Sequence, residues 1–159
     1  MTESPRLPIA VGVVSDTHGL IAPSACSALR GVDYLLHAGD VGEVATIARL
    51  QQIAPLVAVR GNIDTDAATG DLPATAVAQI GDQLLYVLHD LQQLDLNPQA
   101  AGFAAIVYGH THQPEIRWQD GILYLNPGSA QRNRWRKPPS VARLTLVHRQ
   151  LIPEIIWLD

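Results

Sequence analysis

The stretch Ile9-Ala10-Val11-Gly12-Val13-Val14-Ser15-Asp16-Thr17-His18 decides how this chain is read. An apolar run rich in β-branched residues predicts a buried strand over Ile9–Ser15, and the polar residues after it stop the strand abruptly. The pattern recurs along the chain. Tyr34-Leu35-Leu36 leads to Gly39-Asp40, Pro55–Val59 to Gly61-Asn62, Gln83–Leu88 to His89, and Ala104-Ala105-Ile106-Val107-Tyr108 to Gly109-His110-Thr111-His112. Every polar group therefore sits where a strand meets its loop, which in open α/β sheets is the edge that binds ligands.

Working outward, the first half alternates strand and helix: strand Ile9–Ser15, helix near Pro23–Arg30, strand Tyr34–His37, helix near Val44–Gln52, strand Pro55–Val59. This order predicts parallel strands with helical crossovers. The second half reads as strands at Ala76–Ile80, Gln83–Leu88, Ala104–Tyr108, Glu115–Gln119, Ile122–Leu125, Ser140–Val147 and Leu151–Trp157, and its short connections predict antiparallel hairpins. Two packed sheets with helices outside satisfy both halves. With 159 residues, no internal repeat and no low-complexity linker, the expectation is one domain over 1–159.

Composition excludes several classes. At 47% hydrophobic and 16% charged residues the chain is globular rather than disordered. A formal charge of −4 argues against a general nucleic-acid binder. No apolar stretch reaches the length of a membrane span, and the single cysteine, Cys26, has no partner for an intramolecular disulfide and reads as a small buried hydrophobe. A cytoplasmic protein with no membrane partner is the expectation.

Taken together, Asp16, His18, Asp40, Asn62, His89, His110 and His112 offer two carboxylates, one carboxamide and four imidazoles, with no thiolate. Such oxygen and nitrogen donors suit Mn, Fe, Co, Ni or Zn better than Ca or a structural Cys-type zinc. The set exceeds what one tetrahedral ion needs and fits two ions if one carboxylate bridges, an arrangement roughly 3.5–4 Å across that cleaves phosphate esters. Singly, Asp-x-His, Gly-Asp and Gly-Asn are ordinary caps and turns. Their order and shared location carry the argument, together with two imidazoles two residues apart after a buried strand.

The order D-x-H, GD, GN, H, GHxH resembles the calcineurin-like metallophosphoesterase superfamily, and the compact length with Asn126-Pro127-Gly128-Ser129 after GHTH resembles its small bacterial and archaeal phosphodiesterase branch. The resemblance spans Val11 to about Ser129 and implies an α/β fold, a four-layer α/β/β/α sandwich of two mixed β-sheets flanked by helices. It implies that Asp16, His18, Asp40 and His112 hold one divalent ion and Asp40, Asn62, His89 and His110 a second, with Asp40 bridging. Mn is the expected metal, with Fe, Zn, Ni or Co as alternatives. The expected activity is phosphodiester hydrolysis by a metal-bridging hydroxide attacking in line, with Asp40, Asn62 and His89 as the catalytic set. Two divalent ions, offset by Asp16, Asp40 and a hydroxide, leave the site about +1 for an anionic substrate. The chain departs from the family pattern where Asp90 follows His89 in place of the usual Gly, and where Ile63 follows Asn62. Without a histidine at that second position, a metal-bound water, Asp64 or Asp90 is left as candidate leaving-group acid.

Other residues have supporting or substrate-side expectations. His37 is expected to brace the Asp40 loop, Asp64 to orient a ligand or a bound water, and His148 to lie at the surface. The Asn126–Ser129 turn is expected to face its amides toward an anion, so Asn62, Gly128, Ser129 and Arg134 are the substrate-binding set. Arg132, Arg134, Arg136 and Lys137 surround Trp135, four of the chain's eleven basic residues, as either a solvated loop or a substrate-contacting one. The expected partner is a small phosphate ester, and self-association into a homo-oligomer is compatible with the sequence. Alternatives are a non-catalytic scaffold resembling a retromer subunit of the same superfamily, or a nuclease using the basic loop.

Overall fold

The computed structural model describes residues 8–131 and 138–158. Its elements run β1 Ile9–Val14, α1 Pro23–Ala28, β2 Tyr34–His37, α2 Val44–Gln51, β3 Leu56–Ala58, β4 Thr75–Ile80, β5 Gln83–Leu88, α3 Pro98–Ala101, β6 Ala105–Val107, β7 Glu115–Gln119, β8 Ile122–Asn126, β9 Ser140–Val147 and β10 Gln150–Trp157, with a 3-10 turn at Leu91–Gln93. Two five-stranded sheets form, in the orders β10-β9-β1-β2-β3 and β4-β5-β6-β8-β7. The βαβαβ reading holds: β1 pairs parallel with β2 and β2 with β3, because each helix returns the chain to the same edge.

Alternation along the strands builds the layers. Val11 and Val13 of β1 and Leu36 of β2 face Leu85 and Val87 of β5 and Leu123 and Leu125 of β8, forming the core between the sheets. The opposite face of the first sheet, with Val14 and Leu35, is covered by Ala25 of α1, Leu29 at its C-terminal cap and Leu50 of α2. On the far side of the second sheet, Leu91, Leu94, Leu96 and Phe103 pack over Tyr86, Leu88, Ile106 and Tyr108. That outer layer is thin. Asp90 accepts a hydrogen bond from the Gln92 amide and Asn97 from those of Gln99 and Ala100, and Gly102 ends α3 at φ 81°, so capping residues cut the segment into one 3-10 turn and one short helix.

The second half is only partly made of hairpins. β4–β5, β7–β8 and β9–β10 are antiparallel as expected, the β7–β8 turn being fixed by Asp120 and Gly121 at φ 53° and 76°. β6, however, lies parallel to both β5 and β8, and β9 leaves the second sheet to pair antiparallel with β1. All three residues of β6 are buried, so it needs neighbours on both sides, and residues 91–103 supply the crossover that a parallel pair requires. Parallel β1, β2 and β3 of one sheet and β5 and β6 of the other thereby end at a common edge.

Leu36 is fully buried between the sheets whereas Val77 on β4 is half exposed. Leu36→Ala should lower the unfolding free energy by about 2–5 kcal/mol and Val77→Ala by about 1 kcal/mol or less, measured by urea denaturation.

Candidate metal centre

The loops that carry the candidate ligands follow β1, β2, β3, β5 and β6 and are stitched together by backbone. The Asp16 amide donates to the Gly39 carbonyl at 3.0 Å and the His18 amide to that of Asp40 at 3.0 Å, while Gly109 donates to the His89 carbonyl at 3.0 Å. Glycine permits this proximity. A Cβ at Gly61 would lie 2.1 Å from Asp40 Oδ1, and one at Gly109 would lie 2.0 Å from Ser15 Oγ. Asp16, His18, Asp40, His110 and His112 all have φ between 50° and 72°, a left-handed conformation that costs an L-residue about 1 kcal/mol or more. The GHTH segment is therefore curled rather than extended.

Each key side chain is tied down on one side and aimed inward on the other. Asp16 Oδ2 accepts from Ser15 Oγ at 2.7 Å and from the His110 amide at 3.2 Å, leaving the fully buried Oδ1 without a hydrogen bond among the described residues. Asp40 Oδ1 accepts from the Ile63 amide at 3.1 Å, which turns Oδ2 to the interior. His89 places Nδ1 2.7 Å from the Ala38 carbonyl, so that nitrogen carries the proton and Nε2 points at the cluster.

The inward atoms form two groups. Ligand atoms of Asp16, His18, Asp40 and His112 lie within 4.8 Å of one another, with His112 Nε2 3.2 Å and His18 Nε2 3.8 Å from Asp16 Oδ1. On the other side, His89 Nε2 lies 3.0 Å from Asn62 Oδ1, 3.3 Å from His110 Nδ1 and 3.3 Å from Asp40 Oδ2. Asp40 Oδ2 is also 3.7 Å from His18 Nε2, so one oxygen stands between the groups. Neutral rings would direct lone pairs at carboxylate and amide oxygens here, an arrangement that calls for cations in the middle. The donor chemistry thus fits divalent metal.

The charges agree with this. Burial opposes ionisation of Asp16, yet contacts from His112, His18 and Ser15 hold its carboxyl well below the usual range. Asp40 is lowered likewise, against burial, by His89 and the Ile63 amide. His18 is raised, first by the Asp16 carboxylate, and His89 is raised despite burial by Asp40 and Asp16. Paired carboxylates that stay ionised in a buried pocket, ringed by imidazoles, form a cation trap.

The sequence profile of the calcineurin-like phosphoesterase superfamily domain matches residues 9–149. The chain belongs to that superfamily. A probable metallophosphoesterase of Methanothermobacter thermautotrophicus is 33% identical over 158 residues, covering 92% of this chain and 91% of its own. The structure of an archaeal phosphodiesterase superposes with a TM-score of 0.76 at 20% identity, covering 93% of this chain and all of that one. Vacuolar protein sorting 29 from Cryptosporidium parvum superposes at 0.75 with 20% identity, covering 97% of this chain and 100% of that one, a likeness of fold.

Within this phosphoesterase fold some supporting residues differ from the reading of the sequence. Asp64 is not an acid facing the cleft: it accepts the amides of Val41 at 3.0 Å, Gly42 at 2.9 Å and Gly61 at 2.8 Å, clamping the Asp40 and Asn62 loops together. In the Asn126–Ser129 turn, too, groups expected to face an anion are engaged within the protein. The Gly128 amide donates to Asn126 Oδ1, and the hydroxyl of buried Ser129 lies 2.8 Å from the Gln131 carbonyl and 3.2 Å from that of Asp16, so both groups serve the scaffold. Asn126 Nδ2 pins the curled loop through the Gly109 carbonyl and Thr111 Oγ1, a role no local sequence signal announces. Arg134, with residues 132–137, lies outside the described residues. Cys26 is half-buried against the α1 layer, and His148 is an exposed turn residue.

His37 braces the Asp40 loop as expected. Its Nδ1 accepts from the Gly39 amide at 3.1 Å. Its Nε2 lies 3.0 Å from Thr17 Oγ1, whose own proton goes to the Val41 carbonyl, so the ring is the neutral Nε2–H tautomer. Burial pushes it down to about 4 from 6.5. Between those values the unfolded chain binds the extra proton, so the contribution of His37 is complete above about pH 6.5 and falls toward pH 4, by about 3 kcal/mol. The upward shifts of His18 and His89 act above this window and the downward shifts of Asp16 and Asp40 below it. Metal-free protein should show this slope in urea denaturation from pH 6.5 to 4.5, and His37→Gln should flatten it.

Proposed function

We propose that this chain is a dimetal phosphoesterase acting on phosphodiesters, with a small phosphate ester as substrate and Mn as the first metal to try. The observation that carries the reading is Asp40 Oδ2 standing between two donor groups, 3.7 Å from His18 Nε2 and 3.3 Å from His89 Nε2. Asp16, His18, Asp40 and His112 would hold one ion, and Asp40, Asn62, His89 and His110 the other. When bound, such ions supply Lewis acidity toward phosphoryl oxygens and bring the pKa of water near neutrality.

The chain's own residues do the rest. Asp16 and His89 are locked by backbone partners, so the pocket is organised before substrate arrives. Asn62, exposed at the rim, turns Oδ1 to His89 and would leave its Nδ2–H for a phosphoryl oxygen. Membership of a phosphoesterase superfamily and the likeness to an archaeal phosphodiesterase support the substrate class. A cytoplasmic setting suits a chain whose single cysteine leaves no internal disulfide to form.

The scaffold alternative draws on the fold it shares with vacuolar protein sorting 29. Turnover separates the two readings. Chelated protein should fail to hydrolyse an activated aryl phosphodiester and Mn should restore the rate; equal rates before and after chelation would exclude the dimetal reading, and metal binding without turnover would favour the scaffold.

Bridging is tested by metal content. Asp40→Ala should lose both ions, whereas His112→Ala should empty the Asp16–His18 side and leave the Asn62–His89 side partly filled, with circular dichroism confirming folding. A folded Asp40→Ala protein holding two tightly bound ions per chain would remove the bridge.

A further inference from the structure

A cleft of about 530 Å³ opens beside the second donor group, starting from Asn62, His89 and His110 and continuing past Arg60, Asp90 and Asp95. Its volume suits a small ligand. Asp90 occupies a particular place in it. Oδ1 accepts from the Gln92 amide at 3.0 Å, capping the 3-10 turn, while Oδ2 lies 3.9 Å from His110 Nε2. The same ring turns Nδ1 to His89 Nε2 at 3.3 Å, so this carboxylate oxygen stands one imidazole away from the donor cluster. Among the described residues lining the cleft, Arg60 is the one guanidinium; it is partly committed to the Leu72 carbonyl at 2.8 Å, and Asp90 and Asp95 together outnumber it.

We infer that Asp90 is a specificity-determining residue that makes this cleft favour singly charged phosphodiesters over doubly charged phosphomonoesters. The inference rests on the phosphoesterase reading above. A phosphomonoester has a second pKa near 6 and is mostly a dianion at neutral pH, whereas a diester carries one negative charge. Each added negative charge on the substrate is repelled by Asp90 in a partly dehydrated cleft, where Coulomb forces exceed those in bulk water.

Asparagine separates charge from structure, because it caps a helical turn as well as aspartate does while carrying no charge. The Mn-loaded full chain, Asp90→Asn and Asp90→Glu should be compared on an aryl phosphomonoester and an aryl phosphodiester with the same leaving group, with metal content measured alongside. The monoester-to-diester ratio of kcat/KM should rise roughly five- to tenfold in Asp90→Asn, less at high salt, and stay near wild type in Asp90→Glu. Calorimetry should show inorganic phosphate binding Asp90→Asn more tightly than wild type. An active Asp90→Asn enzyme with normal metal content and an unchanged ratio would overturn the inference alone. Absence of turnover of either ester by metal-loaded wild type would overturn the phosphoesterase reading and this inference with it.

Discussion

Electron-rich atoms converge here on one small volume, and the rest of the structure depends on holding them there. Asp16 Oδ1 is fully buried and accepts no hydrogen bond from the described residues, with imidazole nitrogens from His112, His18 and His89 at 3.2, 3.8 and 3.9 Å. Desolvated carboxylates placed this way are unfavourable unless positive charge joins them. Protonated histidines can supply that charge, consistent with the raised His18 and His89, and so can divalent cations.

The scaffold resists this repulsion by tethering each ligand's far side. Ser15 and the His110 amide hold Asp16, the Ile63 amide holds Asp40, and the Ala38 carbonyl holds His89. One layer further out, Asp64 fastens the Asp40 and Asn62 loops through three amides, and neutral His37 fastens Thr17 to Gly39. The left-handed backbones of five candidate ligands are a strain that these ties and the packed sheets beneath them sustain. Gly61 and Gly109 explain why the Gly-Asn and Gly-His pairs begin with glycine: a side chain there would occupy the space of Asp40 and Ser15.

Charge in the cleft acts on a second scale. The donor cluster sets how cations are held, while Asp90 adds negative charge on the far side of His110 without joining the cluster. On the proposed reading, substrate choice would be adjusted from the loop that follows β5, with the metal held chiefly by residues at strand ends.

Much of the fold was legible in the chain itself. Apolar runs placed β1, β2, β5, β7 and β9 within about a residue of their observed bounds, since hydrophobic period and turn chemistry are local. The seven candidate ligands could be picked out for the same reason, each directly following such a run. Tertiary structure alone decided the remainder. The parallel placement of β6 between β5 and β8 and the return of β9 to the first sheet depend on which buried edges find partners, a property of the whole assembly. The curled GHTH segment, the clamping role of Asp64 and the internal use of Ser129 depend on hydrogen bonds between residues 17 to more than 100 positions apart. A sequence names the donors; only packing determines which of their atoms are already taken and which remain free to face a ligand.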